Sequence, residues 1–138
     1  MAFDQTLTTS FKQEVLLGVH DLATDTLKMA LYVAEAELGA GTTVYSTTNE
    51  VVGSGYSAGG VVLTGVTVLT SGTTAYVDFA DPVWNPANFT TRGALIYNAS
   101  KGNKAIAVLD FGADKTATTS FTVQMPANTA SSALIRFA

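Results

Sequence analysis

Cysteine is absent from the 138 residues, which removes disulfide staples, zinc–thiolate sites and thiol nucleophiles together. That absence fits a protein made in a reducing cytosol. Charge is scarce as well: charged residues make up 13% of the chain, roughly half the usual share. The seven basic residues (Lys12, Lys28, Arg92, Lys101, Lys104, Lys115 and Arg136) are scattered, and the net charge is −4. No basic stripe exists to displace phosphate counterions, so no nucleic-acid partner is expected. No apolar run approaches the roughly 20 residues of a membrane helix, and no membrane partner is expected. Met-Ala-Phe-Asp-Gln-Thr at the start lacks a basic segment followed by an apolar stretch, so no secretory signal is expected either. Asn88 and Asn98 open glycosylation-type tripeptides, which without secretion are incidental loop residues.

What is present is apolar. Hydrophobic residues make up 47% of the chain, enough for one core in one domain over residues 1–138. A chain this greasy and this poor in charge is expected to hide more surface than its own fold can cover, in an oligomer or a larger assembly. The strongest local signal is a pair of continuous apolar runs, Gly93 to Tyr97 and Lys104 to Phe111, joined by the polar segment Asn98 to Asn103. Continuous runs predict strands covered on both faces. Gly102 and Asn103 tolerate the positive φ of a tight reversal, so the three pieces predict a central hairpin.

One helix is expected, capped by Ser10 with Gln13 completing a capping box. Phe11, Val15, Leu16, Val19 and Leu22 would form its inward face, and Gly18 would weaken or end it. Thr26 to Val33 alternates as a half-buried strand. Ala34 to Leu38 has room for a turn only. Residues 39–60, rich in Gly, Thr and Ser, predict a long loop with a binding role, with a short helical turn at Asn49–Val51. Beyond it, Val61 to Thr70 reads as one strand bent at Gly65, turning at Ser71–Gly72 into Thr73 to Phe79. Gly112 to Thr118 reads as a loop, Thr119 to Met125 as a strand, Pro126 to Thr129 as a turn and Ala133 to Phe137 as the last strand. The fold class is therefore mainly β: an antiparallel β-sandwich or barrel of about seven to eight strands with one N-terminal α-helix.

Residues that might carry chemistry are few, and each has a structural reading. His20 is the only histidine; Gly55-Tyr-Ser-Ala-Gly59 matches the letters of a nucleophile elbow but sits in a glycine-rich loop before a strand, the wrong context. His20 is expected to be a helix-end residue. Asp78, Asp81, Asp110 and Asp114 lack calcium-loop spacing, and a structural pairing with Arg92 is the better reading. Of the aromatics, Tyr45, Tyr56 and Trp84 are assigned to loops. They can anchor a protein interface or stack on a sugar, and the interface is favoured because tyrosine and tryptophan dominate such contacts. No catalytic residue, no cofactor and no metal site is expected, and an enzyme is the least favoured class.

The ordered series Thr9-Ser-Phe-Lys-Gln-Glu-Val-Leu-Leu-Gly-Val-His20, Leu27-Lys-Met-Ala-Leu-Tyr32, Thr48-Asn-Glu-Val51, Gly55-Tyr-Ser-Ala-Gly-Gly60, Val77-Asp-Phe-Ala-Asp-Pro82, Arg92-Gly-Ala-Leu-Ile-Tyr-Asn98 and Ala107-Val-Leu-Asp-Phe-Gly112 resembles a group of small virion structural proteins of tailed bacteriophages. The resemblance spans nearly the whole chain and carries over no catalytic set. It implies a particle component made in the host bacterial cytoplasm, a capsid decoration (cement) protein whose partners are the major capsid protein and copies of itself, with a trimer expected. A tail, neck or fibre-adaptor component is the structural alternative. A carbohydrate- or receptor-binding module is the alternative of a different class.

Overall fold

The computed structural model describes residues 3–126, 129 and 131–137. Among them are one helix, α1 (Thr9–Leu16), and ten strands: β1 (Thr6–Leu7), β2 (Leu27–Tyr32), β3 (Val61–Val62), β4 (Thr67–Ser71), β5 (Thr74–Asp78), β6 (Val83–Trp84), β7 (Phe89–Asn98), β8 (Lys104–Ala117), β9 (Phe121–Thr122) and β10 (Arg136–Phe137). They form a five-stranded sheet in the order β1-β8-β7-β2-β3, a three-stranded sheet β10-β5-β4 and a two-stranded pair β6-β9. Every pairing between these strands is antiparallel. The mainly β, layered fold with one N-terminal helix is thus the one expected, with several of its strands only two residues long.

The central hairpin is as expected. β7 and β8 pair along their length, and the reversal is a 3₁₀ turn at Ala99–Lys101 followed by Gly102 at φ 67° and Asn103 at φ 59°. Residues 94–97 and 105–109 are buried throughout. Their side chains alternate between two cores, apart from Ile106 and Ala107, which both join the main core at a bulge, and this is why both runs are apolar at consecutive positions. One face of the large sheet gives Leu27, Met29, Leu31, Ala94 and Ile96 to a core closed by Phe11, Val77, Phe79, Trp84 and Ile135 from α1 and the smaller sheets. The other face gives Ala30, Tyr32, Leu95 and Tyr97 to a second core, closed by Phe3, Ala36 and Tyr45. At Gly93 the Phe3 ring lies where a side chain would start: an added Cβ would sit 2.4 Å from Phe3 Cδ2 and 2.7 Å from Leu109 O.

Several expectations need correction. The helix cap is Thr8, whose Oγ1 accepts from Phe11 N at 3.2 Å. Thr8 N also bonds Ile106 O, so the helix springs straight from the sheet edge and Ser10 already lies inside it. Of the predicted inward face, Phe11 is buried and Val15 half-buried, but Leu16 is 87% exposed because the helix ends there. Gly18, at φ 74°, terminates it as expected. β2 is not half-buried: Lys28 alone is partly open, because the segment after β2 covers the second face. Asn49–Val51 is a turn rather than a helical one, with Asn49 at φ 60°.

Val61 to Thr70 is two strands in two sheets, broken at Gly65 with φ 64°. β8 runs through the predicted loop to Ala117, where Thr90 and Thr116 face each other with hydroxyls 2.9 Å apart. Residues 112–116 are exposed on both faces, so no apolar pattern marks them, and Ala117 returns to the main core. In Thr119 to Met125 only Phe121–Thr122 is strand, and in Ala133 to Phe137 only Arg136–Phe137. The turn expected over Pro126–Thr129 falls partly outside the described residues.

Candidate interaction surface

Tyr45, Tyr56 and Trp84 are brought together, but inward. Between Tyr45 and Tyr56 lies Glu50, 7% exposed. Tyr45 Oη donates to Glu50 Oε1 at 2.6 Å, while Tyr56 Oη and Gly59 N, the latter at 2.8 Å, donate to Oε2. Tyr56 Oη in turn accepts from Leu31 N at 2.9 Å, and Tyr97 Oη donates to Gly59 O at 2.7 Å. The Tyr45 ring stacks on Tyr97 with centroids 4.6 Å apart. A carboxylate in a dry site needs donors on both oxygens, and three donors from residues 45–59 supply them. The cluster therefore fastens residues 39–60 across the sheet. Gly60 completes the fastening by close approach, since a Cβ there would lie 1.7 Å from Met29 O.

Burial, then the Glu50 carboxylate, pushes the Tyr45 and Tyr56 phenols well above the ordinary tyrosine range. Tyr97 is pushed up to about 12 by burial and then by Glu50. These phenols are donors holding a loop in place. The loop residues 39–60 thus have a structural task that the glycine-rich composition did not reveal.

Trp84 lies in β6, not in a loop, and is 3% exposed. Its ring is stacked on Tyr56 at 6.4 Å and tilted against Phe121 at 6.0 Å. The expectation that it forms a contact surface is corrected: the pairing of Val83–Trp84 with Phe121–Thr122 turns the indole into the main core. Tyr45 and Tyr56 are half-buried, with their hydroxyls committed to Glu50.

His20 does close the end of the helical segment. Its side chain is fully buried, with Nε2 2.9 Å from Glu14 Oε1. Asn98 Nδ2 donates to His20 Nδ1 at 2.9 Å and to Asp25 Oδ2 at 2.8 Å, while Asn98 Oδ1 accepts from Ser100 N. An amide nitrogen can only donate, so Nδ1 is the bare nitrogen of the ring and Nε2–H donates to Glu14. Both imidazole nitrogens are used, and among the described residues no serine or other nucleophile bonds to either. Lys101 Nζ bonds both oxygens of Asp25, at 2.7 and 2.8 Å. Burial works to raise the Asp25 carboxyl. The bonds from Lys101, Asn98 and the Asp21 amide, with the Lys101 charge, outweigh it and hold Asp25 at about 2. The sequence does not mark Glu50, and it marks Asn98 only as the start of a glycosylation-type tripeptide and of the hairpin link. Their only signals are a lone acid just before the apolar pair Val51–Val52 in a charge-poor chain, and an amide at the end of a buried run.

The remaining acids are dispersed. Asp110 approaches Arg92 at 3.8 Å with both side chains about a third exposed, a loose form of the expected pairing. Asp81 accepts from Met125 N at 2.8 Å, and Asp114 is exposed on β8. Among the described residues no group of three or more His, Asp or Glu side chains gathers to hold a metal ion. No described helix is long and apolar enough to cross a membrane.

Large apolar side chains stand among the exposed residues. Leu17 is 69% exposed and Val52 94%, alongside Leu16. All five residues of β4, Thr-Val-Leu-Thr-Ser, are exposed, and β4 is the free edge of its sheet. Against known proteins, no family model, no curated protein and no solved structure matches the chain.

Proposed function

We propose that the chain is a structural protein of a tailed-bacteriophage virion, a capsid decoration protein seated on the major capsid protein lattice. One observation carries the reading: polar groups suited to chemistry are spent on holding the fold, whereas the surface carries uncharged positions suited to contact. His20, Asp25 and Glu50 each bond side chains of their own chain, while Leu16, Leu17, Val52 and β4 face outward. The chain-wide order of motifs supports the same reading. A lattice component gains from multivalency, so individually weak contacts through such positions suffice.

Stoichiometry tests the reading against its structural alternative. Quantitative densitometry of purified particles should give a copy number in step with the major capsid protein. A copy number in step with the portal or tail proteins would instead make the chain a tail, neck or fibre-adaptor component. The sugar-binding alternative loses its proposed platform, because the Trp84 ring is internal and the Tyr45 and Tyr56 hydroxyls are engaged. A glycan array answered by the purified chain would restore it.

A further inference from the structure

We propose that β4 is a self-association edge, pairing antiparallel with β4 of a second copy across a two-fold axis at Leu69. The geometry follows from the hairpin. Ser71 and Thr74 flank a two-residue turn opened by Gly72 at φ 60°. In such a turn the flanking residues exchange hydrogen bonds, and the pattern alternates back along the strand. Ser71, Leu69 and Thr67 therefore bond to β5, while the N–H and C=O groups of Val68 and Thr70 point away from the sheet into solvent.

The strand is its own complement. The register that overlaps all five residues sets Leu69 against Leu69 of the second copy and Val68 against Thr70 of the second copy. Val68 and Thr70 then exchange bonds with their opposites, so every outward backbone group of the strand's centre is satisfied. β-Branched side chains face each other on one side of the ladder and the two leucines on the other, both favourable cross-strand pairs. No charge opposes a like charge: Thr67–Ser71 carries none, and Asp78, opposite Thr67 in the same copy, falls at opposite ends of the joined sheet.

The usual devices that keep edges apart are lysine, proline, a bulge or a covering loop. β4 has no lysine or proline and no bulge in its pairing with β5, and its five residues are exposed. The other end strand of this sheet, β10, is two residues long and so offers no comparable ladder. The contact is isologous and closes at two copies, so the trimer expected from the sequence would have to use a different surface. It is independent of the virion reading and is testable on the purified protein.

The test exploits the absence of cysteine. In a non-hydrogen-bonded antiparallel pair the two Cα atoms approach to about 4.5 Å, within disulfide range. Leu69→Cys should therefore oxidise to a disulfide-linked dimer at least roughly tenfold faster than Glu37→Cys, an exposed control on the segment after β2, because pairing raises the local thiol concentration. Sedimentation of the unmodified chain should show mass rising with concentration. Thr70→Pro, which removes an outward N–H and no bond to β5, should abolish that rise while leaving the melting transition in place. Equal oxidation rates for the two cysteine variants, or association unchanged by Thr70→Pro, overturns the proposal. So does a chain that stays monomeric at every concentration.

Discussion

Removing the Glu50 carboxylate should release residues 39–60 from the sheet and cost a large part of the stability. Three donors end on this carboxylate: the Tyr45 and Tyr56 hydroxyls and the Gly59 amide. Bonds to a charged acceptor contribute about 1.5–3 kcal/mol each. The sum overstates the effect, because Tyr45 is half-buried and can turn to water, and because Glu50→Ala recovers the cost of burying the charge. We expect about 3–4 kcal/mol for Glu50→Ala and about 2 kcal/mol for Glu50→Gln, which keeps one acceptor but aims an NH₂ group at a donor. Against a total of about 5–15 kcal/mol for a domain, the alanine variant is marginal. Urea unfolding followed by tyrosine fluorescence gives the loss, with Glu37→Gln, an exposed acid just before that segment, as the control within about 0.5 kcal/mol of the parent. Amide exchange at Gly59 reports the local release. If Glu50→Gln melts with the control and Gly59 stays protected, the carboxylate does not fasten the segment.

Further outcomes follow from the same contacts. Asp25 is held at about 2 from an ordinary 3.8, so its contribution is complete above the unfolded value and is lost as pH falls from there toward 2; Asp25→Asn should flatten acid unfolding in that window, and an unchanged acid limb would contradict the pairing with Lys101. Tyr97 is raised to about 12 from 10.0, with Tyr32, Tyr45 and Tyr56 raised further, so the stability they confer is full below pH 10 and drains as pH rises past it. Phenolate absorbance of these tyrosines and loss of structure should therefore rise together in base; ionisation of all of them with the fold intact would count against it. A chain ending at Ala133 loses Ile135, which is fully buried and accepts from Val77 N; we expect a loss of at least about 2–5 kcal/mol, and a cooperative melt at the parent temperature would refute it.

The hairpin was legible because its physics is local: two doubly covered strands must be apolar at every position, and Gly102–Asn103 must turn. The helix was legible from Phe11 and Val15, though its cap shifted to Thr8, whose role depends on a bond to Ile106 ninety-odd residues away, a separation that no local pattern reports. The polar stretch of β8 before Ala117 was illegible because both of its faces are open to solvent and need no apolar pattern. Trp84 was misplaced because flanking prolines suggest a loop, while its burial is decided by a distant partner, Phe121. Glu50 carries no local signal, since a single acid has no spacing; only the fold shows the donors that converge on it. Exposed β4 looked like any half-polar strand until its place at the sheet edge was known.

Electron cryo-microscopy of the intact particle bears most directly on whether this chain exists to make contacts rather than to react. The proposed virion role predicts density for this fold on the outer capsid shell, seated on the major capsid protein with its exposed apolar positions in contact. Density for the chain confined to the tail would contradict that, as would purified particles that lack it altogether.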